Sequence, residues 1–358
     1  MKTGRNLQEL AAEIMRQSGA KHDYIVPAQH ISATRMGLDR APTLFVNGAG
    51  DELFNVNQHT HGQIAEKTGI AKAYYDRLLG ESDSDLWERN VNHWFRKSDA
   101  RHMVRTLDGS ARALLSDRYQ RIDHEHVAET TLPALLERSD VQVVSCEVTE
   151  RRLYIKAVVT SLLRDVKVGD PVRAGVIIGN SEIGDGSLYV DPWIERLRCT
   201  NGMVVAEYKW RRAHVGSRLE LPEGVVLAED TMRAEDSAIL LKMRDMIRAA
   251  TSEVMLDKIV AKLRDAADTE PVKSPQAAVQ LLAKTVGLLQ GEQESVLERL
   301  IQGRDYTLYG MANAVTNLAN DAESYDRATE LEKIGGNIIT LPRSDWQRVA
   351  GAELRQAA

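Results

Sequence analysis

The chain holds two cysteines in 358 residues, Cys146 and Cys199. Two thiols cannot build a disulfide scaffold, and no C-x-x-C pair supplies a thiolate zinc site. A reducing, cytoplasmic setting is therefore expected. Positive charge is not in excess: 46 Lys and Arg stand against 52 Asp and Glu, a formal net charge of −6. That excludes a general basic field drawing in nucleic acid or anionic membrane. No apolar run approaches the ~20 residues of a membrane span. Met1-Lys2-Thr3-Gly4-Arg5-Asn6 leads into an amphipathic stretch, not into the apolar core and cleavage site of a signal peptide. No membrane partner is expected. The phosphate loop, the dinucleotide-binding glycine fingerprint and the G-x-S-x-G elbow are all missing. Neither a catalytic residue, a metal nor a cofactor is expected. Aromatic residues are few, at 5%, so each Tyr and Trp is a marked position.

What remains is an ordinary globular composition, 43% hydrophobic and 27% charged. It falls into three blocks: 1–100, a mixed α/β region with a helical hairpin; 101–228, a strand-rich core; and 229–358, a helical region. The predicted class is α+β, with a central antiparallel sheet. Charge follows this division, since residues 91–220 alone carry a small positive excess. In the first block, Leu7, Leu10, Ala11, Ile14 and Met15 repeat at helical spacing. Thr43–Val46 and Glu52–Val56 flank Asn47-Gly48, a hairpin signal. Helices are predicted near 58–67 and 71–79, and around Trp87, Val91, Trp94 and Phe95. In the second block, Asp108-Gly109 turns between Met103–Leu107 and Arg112–Leu115. A helix near 123–138 begins at Asp123, a capping residue type. Val141–Val148 pairs with Leu153–Val159, and further strands lie at 172–179, 187–190 and 194–215. In the third block, helices are predicted near 233–268, 275–288, 291–302 and 307–321, with Ser274-Pro275 opening the second. Their faces suit a partner, and a homo-oligomer through them is expected.

Chemistry is richest in Val205–His214. Side chains alternate across a strand, so Tyr208, Trp210, Arg212 and His214 share one side, and Glu207, Lys209 and Arg211 the other. Arg196, Arg198 and Arg218 add to the charge. In Leu153–Val159, Leu153, Ile155, Ala157 and Val159 form the buried face. Arg152, Tyr154 and Lys156 are then expected in solvent, with Arg151 beside them. Rings and cations on a sheet are what single-stranded nucleic acid uses, bases stacking while phosphates meet cations. The bland alternative is a half-buried boundary with ordinary surface charge. A rival is a metal-dependent nuclease, because Glu207-x-Lys209 with Asp191 or Asp185 upstream can hold magnesium and assist a water.

Two histidine pairs, His59/His61 and His124/His126, sit at predicted helix starts, where positions two apart diverge. Capping and exposure, rather than metal binding, are expected. Residues 62–79 have the small residue, turn glycine (Gly69) and apolar spacing of a helix-turn-helix, with Lys72, Tyr74 and Arg77 on the second helix. Glu81, Asp83, Asp85 and Glu88 follow and would repel phosphate, which favours a structural hairpin. Cys146 lies in an apolar strand and reads as an inert buried thiol. Cys199-Thr200-Asn201-Gly202 reads as a turn whose Asn-Gly supplies positive φ.

Leu115-Ser116-Asp117-Arg118-Tyr119, then Arg198-Cys199-Thr200-Asn201-Gly202-Met203, then Arg212-Ala213-His214, resemble the family called domain of unknown function 932. Thr307–Thr316 resembles its helical tail. The resemblance implies phage- or plasmid-borne relatives and a setting of mobile DNA; the family has no agreed activity, so it transfers no catalytic role to these residues. The reading is a non-enzymatic single-stranded DNA-binding protein of a mobile element, in annealing or recombination. Alternatives are the nuclease using Asp191, Glu207 and Lys209, or a protein-interaction module.

Overall fold

The computed structural model describes residues 1–35, 41–48, 52–80, 84–205, 211–212 and 228–353. The chain opens on α1 (Leu7–Ala20), whose first turn is closed reciprocally: Asn6 accepts from the Glu9 N–H, and the Glu9 carboxylate accepts from the Asn6 N–H. Next come β1 (Lys21–Pro27), β2 (Ile31–Thr34), β3 (Thr43–Val46) and β4 (Leu53–Val56). Then follow α2 (Gln58–Thr68), α3 (Lys72–Gly80), α4 (Ser84–Lys97), β5 (Arg101–Leu107) and β6 (Ser110–Ser116). Their strands form one six-stranded sheet in the order β1-β5-β6-β4-β3-β2, antiparallel except for the β4–β6 pair. Asp108 and Gly109 both take positive φ (49° and 73°), as a two-residue hairpin turn requires. Leu44, Phe54, Ile64, Tyr75, Trp87 and Phe95 bury the helices on this sheet. Trp94, on the same helix as Trp87 and Phe95, is 46% exposed.

The expected boundary at residue 100 runs through this sheet, because β5 pairs β1 along its whole length, from Lys21↔Leu107 to Pro27↔Arg101. Strand-rich sequence beyond residue 100 is thus shared between two sheets.

After α5 (His124–Leu136), the second sheet is a meander of β7 (Val141–Val148), β8 (Leu153–Asp165), β9 (Pro171–Asn180), β10 (Leu188–Arg196) and β11 (Asn201–Val204). The two-residue β12 (Arg211–Arg212) pairs Tyr189 and Leu188 of β10. The strand expected over 194–215 falls on the end of β10, on β11 and on β12, with 206–210 and 213–215 outside the described residues. Thr200, not Asn201 or Gly202, takes the positive φ (48°) of the turn. Gly202 lies in β11 under the Trp193 ring, where a Cβ would collide with the indole.

The carboxy-terminal helices are α6 (Glu229–Ala250), α7 (Glu253–Ala267), α8 (Pro275–Val286), α9 (Glu292–Gly303), α10 (Leu308–Leu318), α11 (Tyr325–Ile339) and α12 (Arg343–Ala350). The helix expected over 233–268 breaks at Ser252, whose hydroxyl accepts from the Met255 N–H to start α7. Ser274 caps α8 with Pro275 at its first position, as predicted. The apolar faces expected to meet a partner are spent largely in the chain's own core, as with Leu263, Leu282, Met311, Val315 and Ile338. The class is α+β, with two sheets and helices gathered toward the carboxy terminus.

Both faces of the second sheet are covered. Leu153, Ile155, Ala157 and Val176 meet Met243 and Ile247 of α6. Tyr154, Ile177, Tyr189 and Trp193 meet Tyr325 of α11 on the other side.

Candidate functional site

The covered second face decides where the proposed binding residues stand. Tyr154 and Lys156 do point away from Ile155, as alternation requires, but neither reaches solvent: both are 0% exposed. Their expected exposure is corrected by α11. Lys156 Nζ lies 2.7 Å from Glu332 Oε2 in a fully buried ion pair. Trp193 Nε1 donates to the same oxygen at 3.2 Å, and the ammonium stands 4.8 Å from the centre of the Tyr325 ring. Tyr154 donates its hydroxyl hydrogen to Asp326 Oδ1 at 2.7 Å. The helix can lie this close because Gly335 and Gly336 sit against Thr316 and the Val204 carbonyl, where no Cβ fits. A buried cation is tolerable only when paired in this way.

Four of the proposed cations stay nearer solvent. Arg151 and Arg152, in the β7–β8 turn, both pair with Asp185, Arg152 at 3.0 Å. Arg198 is exposed. Arg211 reaches both oxygens of fully buried Asp191 at 2.6 Å. Arg212 pairs with Leu188 in β12. Glu207, Tyr208, Lys209, Trp210, His214 and Arg218 lie outside the described residues.

At this end of the sheet, the structure gathers a group that sequence reasoning only half found. Tyr189, at the start of β10, lies across Gly179 of β9, whose missing side chain leaves room for the ring. The Arg211 guanidinium stands 4.8 Å from the centre of that ring, and Lys333 Nζ of α11 stands 4.0 Å from it. Burial lowers the Lys333 amine to about 8; Arg152, Arg211 and Lys156 push the same way, and Asp191 opposes them. Burial raises the Tyr189 phenol well above its ordinary value, so it is a neutral donor. Its oxygen is buried and has no hydrogen-bond partner among the described residues. Among the described residues, Arg151, Arg152, Arg211 and Lys333 stand against Asp185, Asp191 and Asp326, which leaves one positive charge over. A period-two signal was available for Tyr189, since Tyr189, Asp191, Trp193 and Glu195 alternate with Leu188, Val190, Pro192 and Ile194. Nothing local marked Lys333.

A second polar group joins the two sheets. Glu182, 2% exposed, pairs with Arg112 and Lys21 and accepts from the His124 N–H at 2.6 Å. Asp123 therefore does not cap α5: its carboxylate pairs with Arg105 at 2.7 Å and Lys21 at 2.9 Å, and Glu182 takes the free N–H instead. Arg105 also reaches Asp23 at 2.8 Å. Asn180 Nδ2 donates to the Ile122 carbonyl and meets His124 Nδ1 at 3.1 Å, which makes that nitrogen an acceptor. Burial holds the His124 imidazole down to about 4.

His124 and His61 are thus corrected from exposed to buried, each 5% exposed. His61 Nδ1 meets the Tyr75 hydroxyl at 2.7 Å, while Asn57 caps α2 by accepting from the Thr60 N–H. Among the described residues, no group of three His, Cys, Asp or Glu side chains could hold a metal. Residues 58–80 form a helical hairpin turned by Gly69 (φ 67°), with Lys72 paired to Asp76. Cys146 is fully buried, and burial raises its thiol to about 11.

These features define an α+β protein with a cation-rich sheet end and, among the described residues, no helix long and apolar enough to cross a membrane. More than half of the chain, residues 112–334, matches the family described as domain of unknown function (DUF932), and the chain belongs to that family. The matched span runs from β6 into α11 and includes every residue of the sheet-end group. No curated protein matches the chain, and no solved structure does.

Proposed function

We propose that this chain is a non-enzymatic protein that binds single-stranded DNA at the cationic end of its second sheet, in the annealing or recombination of mobile DNA. The observation that carries the reading is the stacking of Arg211 and Lys333 on Tyr189, with Arg151 and Arg152 alongside and one positive charge in excess. Cations held by rings and only partly neutralised suit a phosphate backbone. Tyr208 and Trp210, which precede Arg211 in the chain, are proposed as the rings on which bases stack. Tyr154 and Lys156 have no part in this surface.

The test is fluorescence anisotropy of a labelled single-stranded oligonucleotide across a salt series without magnesium. Binding should exceed that of duplex and weaken steeply with salt. Trp210→Ala should weaken it by about 5- to 150-fold, the equivalent of ~1–3 kcal/mol for one stacked base. Arg211→Ala should lower the salt slope by about one phosphate contact. An absence of binding at low salt overturns the reading. Cleavage on adding magnesium, lost in Glu207→Ala, would replace it with the nuclease. Against that rival stands the Asp191 carboxylate, whose two oxygens are both occupied by Arg211.

A further inference from the structure

We infer that Lys333 and the Tyr189 hydroxyl form a seat for one singly charged phosphodiester, framed by Arg152 and Arg211; this rests on the nucleic-acid reading and names the chemical group that the sheet end grips. Three observations lead there.

First, the Tyr189 hydroxyl is an unmet donor. The side chain is 5% exposed and its oxygen has no partner among the described residues. A buried hydroxyl without an acceptor is unfavourable, and a ligand oxygen would satisfy it. A cation–π role for Lys333 accounts for the ring contact but leaves this hydroxyl unsatisfied.

Second, the charge balance is uneven in a particular way. Asp191 takes Arg211 with both oxygens, and Asp185 is shared by Arg151 and Arg152. Asp326 accepts from Tyr154 and the Thr149 hydroxyl. Lys156, which also adds positive potential, is matched by Glu332. Lys333 is left with no carboxylate within ion-pair distance among the described residues, and its ammonium lies 4.0 Å from the centre of the Tyr189 ring. One uncompensated ammonium beside a neutral phenol donor suits a monoanion. A phosphate monoester dianion would leave a buried charge unmatched.

Third, the donors are held from different elements by fixed packing. Arg152 lies in the turn before β8, Tyr189 near the start of β10, Arg211 in β12 and Lys333 in α11. Gly179 and the glycines of α11 let ring and helix approach. All four groups can donate a hydrogen bond to an oxyanion.

The proton on Lys333 is the reporter. Its amine, lowered by burial to about 8, gains from an anion only when charged, so occupation must raise that pKa. The experiment follows the lysine side-chain nitrogen resonances of the whole protein through a pH titration. It is run with sodium chloride alone, with dimethyl phosphate, and with inorganic phosphate at equal ionic strength. Lys333→Met assigns the resonance. Dimethyl phosphate should raise the Lys333 pKa by about one unit, the shift produced by a tenfold preference for the charged amine. Tyr189→Phe keeps the ring for both cations and should weaken diester binding by about tenfold.

If dimethyl phosphate leaves the resonance unmoved, the seat is overturned, whatever single-stranded DNA does. If inorganic phosphate moves it and the diester does not, the monoanion assignment is overturned. If the diester raises the pKa but single-stranded DNA does not bind, the seat stands and the nucleic-acid reading falls. Should Lys333→Met fail to fold, Lys333→Arg keeps the charge while removing the titration, and diester binding must then become independent of pH between 7 and 9.

Discussion

Replacing Lys156 by methionine removes one half of an ion pair buried on both sides. Glu332 then keeps a carboxylate at 0% exposure, with the Trp193 indole N–H as its hydrogen-bond donor. Breaking a buried pair from one side costs about 3–5 kcal/mol, because the survivor is an unmatched charge in a poorly polarisable interior. Methionine nearly fills the space of the lysine stem, so little of that cost comes from a cavity. Adding Glu332→Gln removes the stranded charge while leaving Trp193 an acceptor, and should recover all but about 1 kcal/mol. Urea unfolding followed by circular dichroism, on wild type, both single variants and the double, closes the cycle. The coupling should be at least ~2 kcal/mol in favour of the pair. If the double variant is as unstable as the sum of the singles, the two charges do not compensate each other and the account of this face fails. The folded double variant should also bind single-stranded DNA like wild type. Lost binding would return Lys156 to the contact surface.

Acid should weaken the fold in a definite window. His61 and His124 are each held to about 4 by burial, below an ordinary 6.5, so the unfolded chain takes up their protons first. Their contribution, on the order of 3 kcal/mol each, is complete above about pH 6.5 and lost as pH falls toward 4. Glu182, also held low, extends the loss to lower pH. Urea midpoints measured from pH 7 to 4 check this, and a flat profile contradicts it. Gly179→Ala places a methyl group in the Tyr189 ring and should destabilise by about 1–3 kcal/mol, read by the same unfolding assay; a neutral effect would mean that the ring does not lie there. A thiol reagent should modify Cys199 and spare Cys146 in the native protein, and reach both in urea. Two fast thiols in the native protein would contradict the burial of Cys146.

Much of the fold was legible because its signals are local. Asp108-Gly109, Gly69 and Ser274-Pro275 specify turn or cap geometry within a few residues. The second sheet's strands show as apolar runs. What could not be read were features set by partners far along the chain. Tyr154 and Lys156 alternate with apolar residues and so resemble a solvent face, but the residues that cover them lie in α11. That helix lies beyond the last helix predicted from sequence, and its glycines let it approach β11 and α10. Asp123 is a good capping residue by type, yet Arg105 and Lys21 claim its carboxylate. Of the proposed site, Arg152 and Arg211 were named from the sequence; Tyr189 and Lys333 come together with them only in the tertiary structure.

The two sheets differ in how they can be assembled in time. The second grows by successive hairpins, each strand meeting its predecessor after a short connection. The first must bring Lys21 to Leu107 and Asn55 to Ser110, across everything that lies between. Closing such loops costs entropy before any contact repays it, and non-local pairing slows folding. On a ribosome, β1 through α4 would emerge without the strands that complete their sheet. The first hundred residues are therefore not a separable unit. A fragment ending there would expose the unpaired edges of β1 and β4, and should aggregate or be degraded where a fragment ending beyond β6 gains its missing centre.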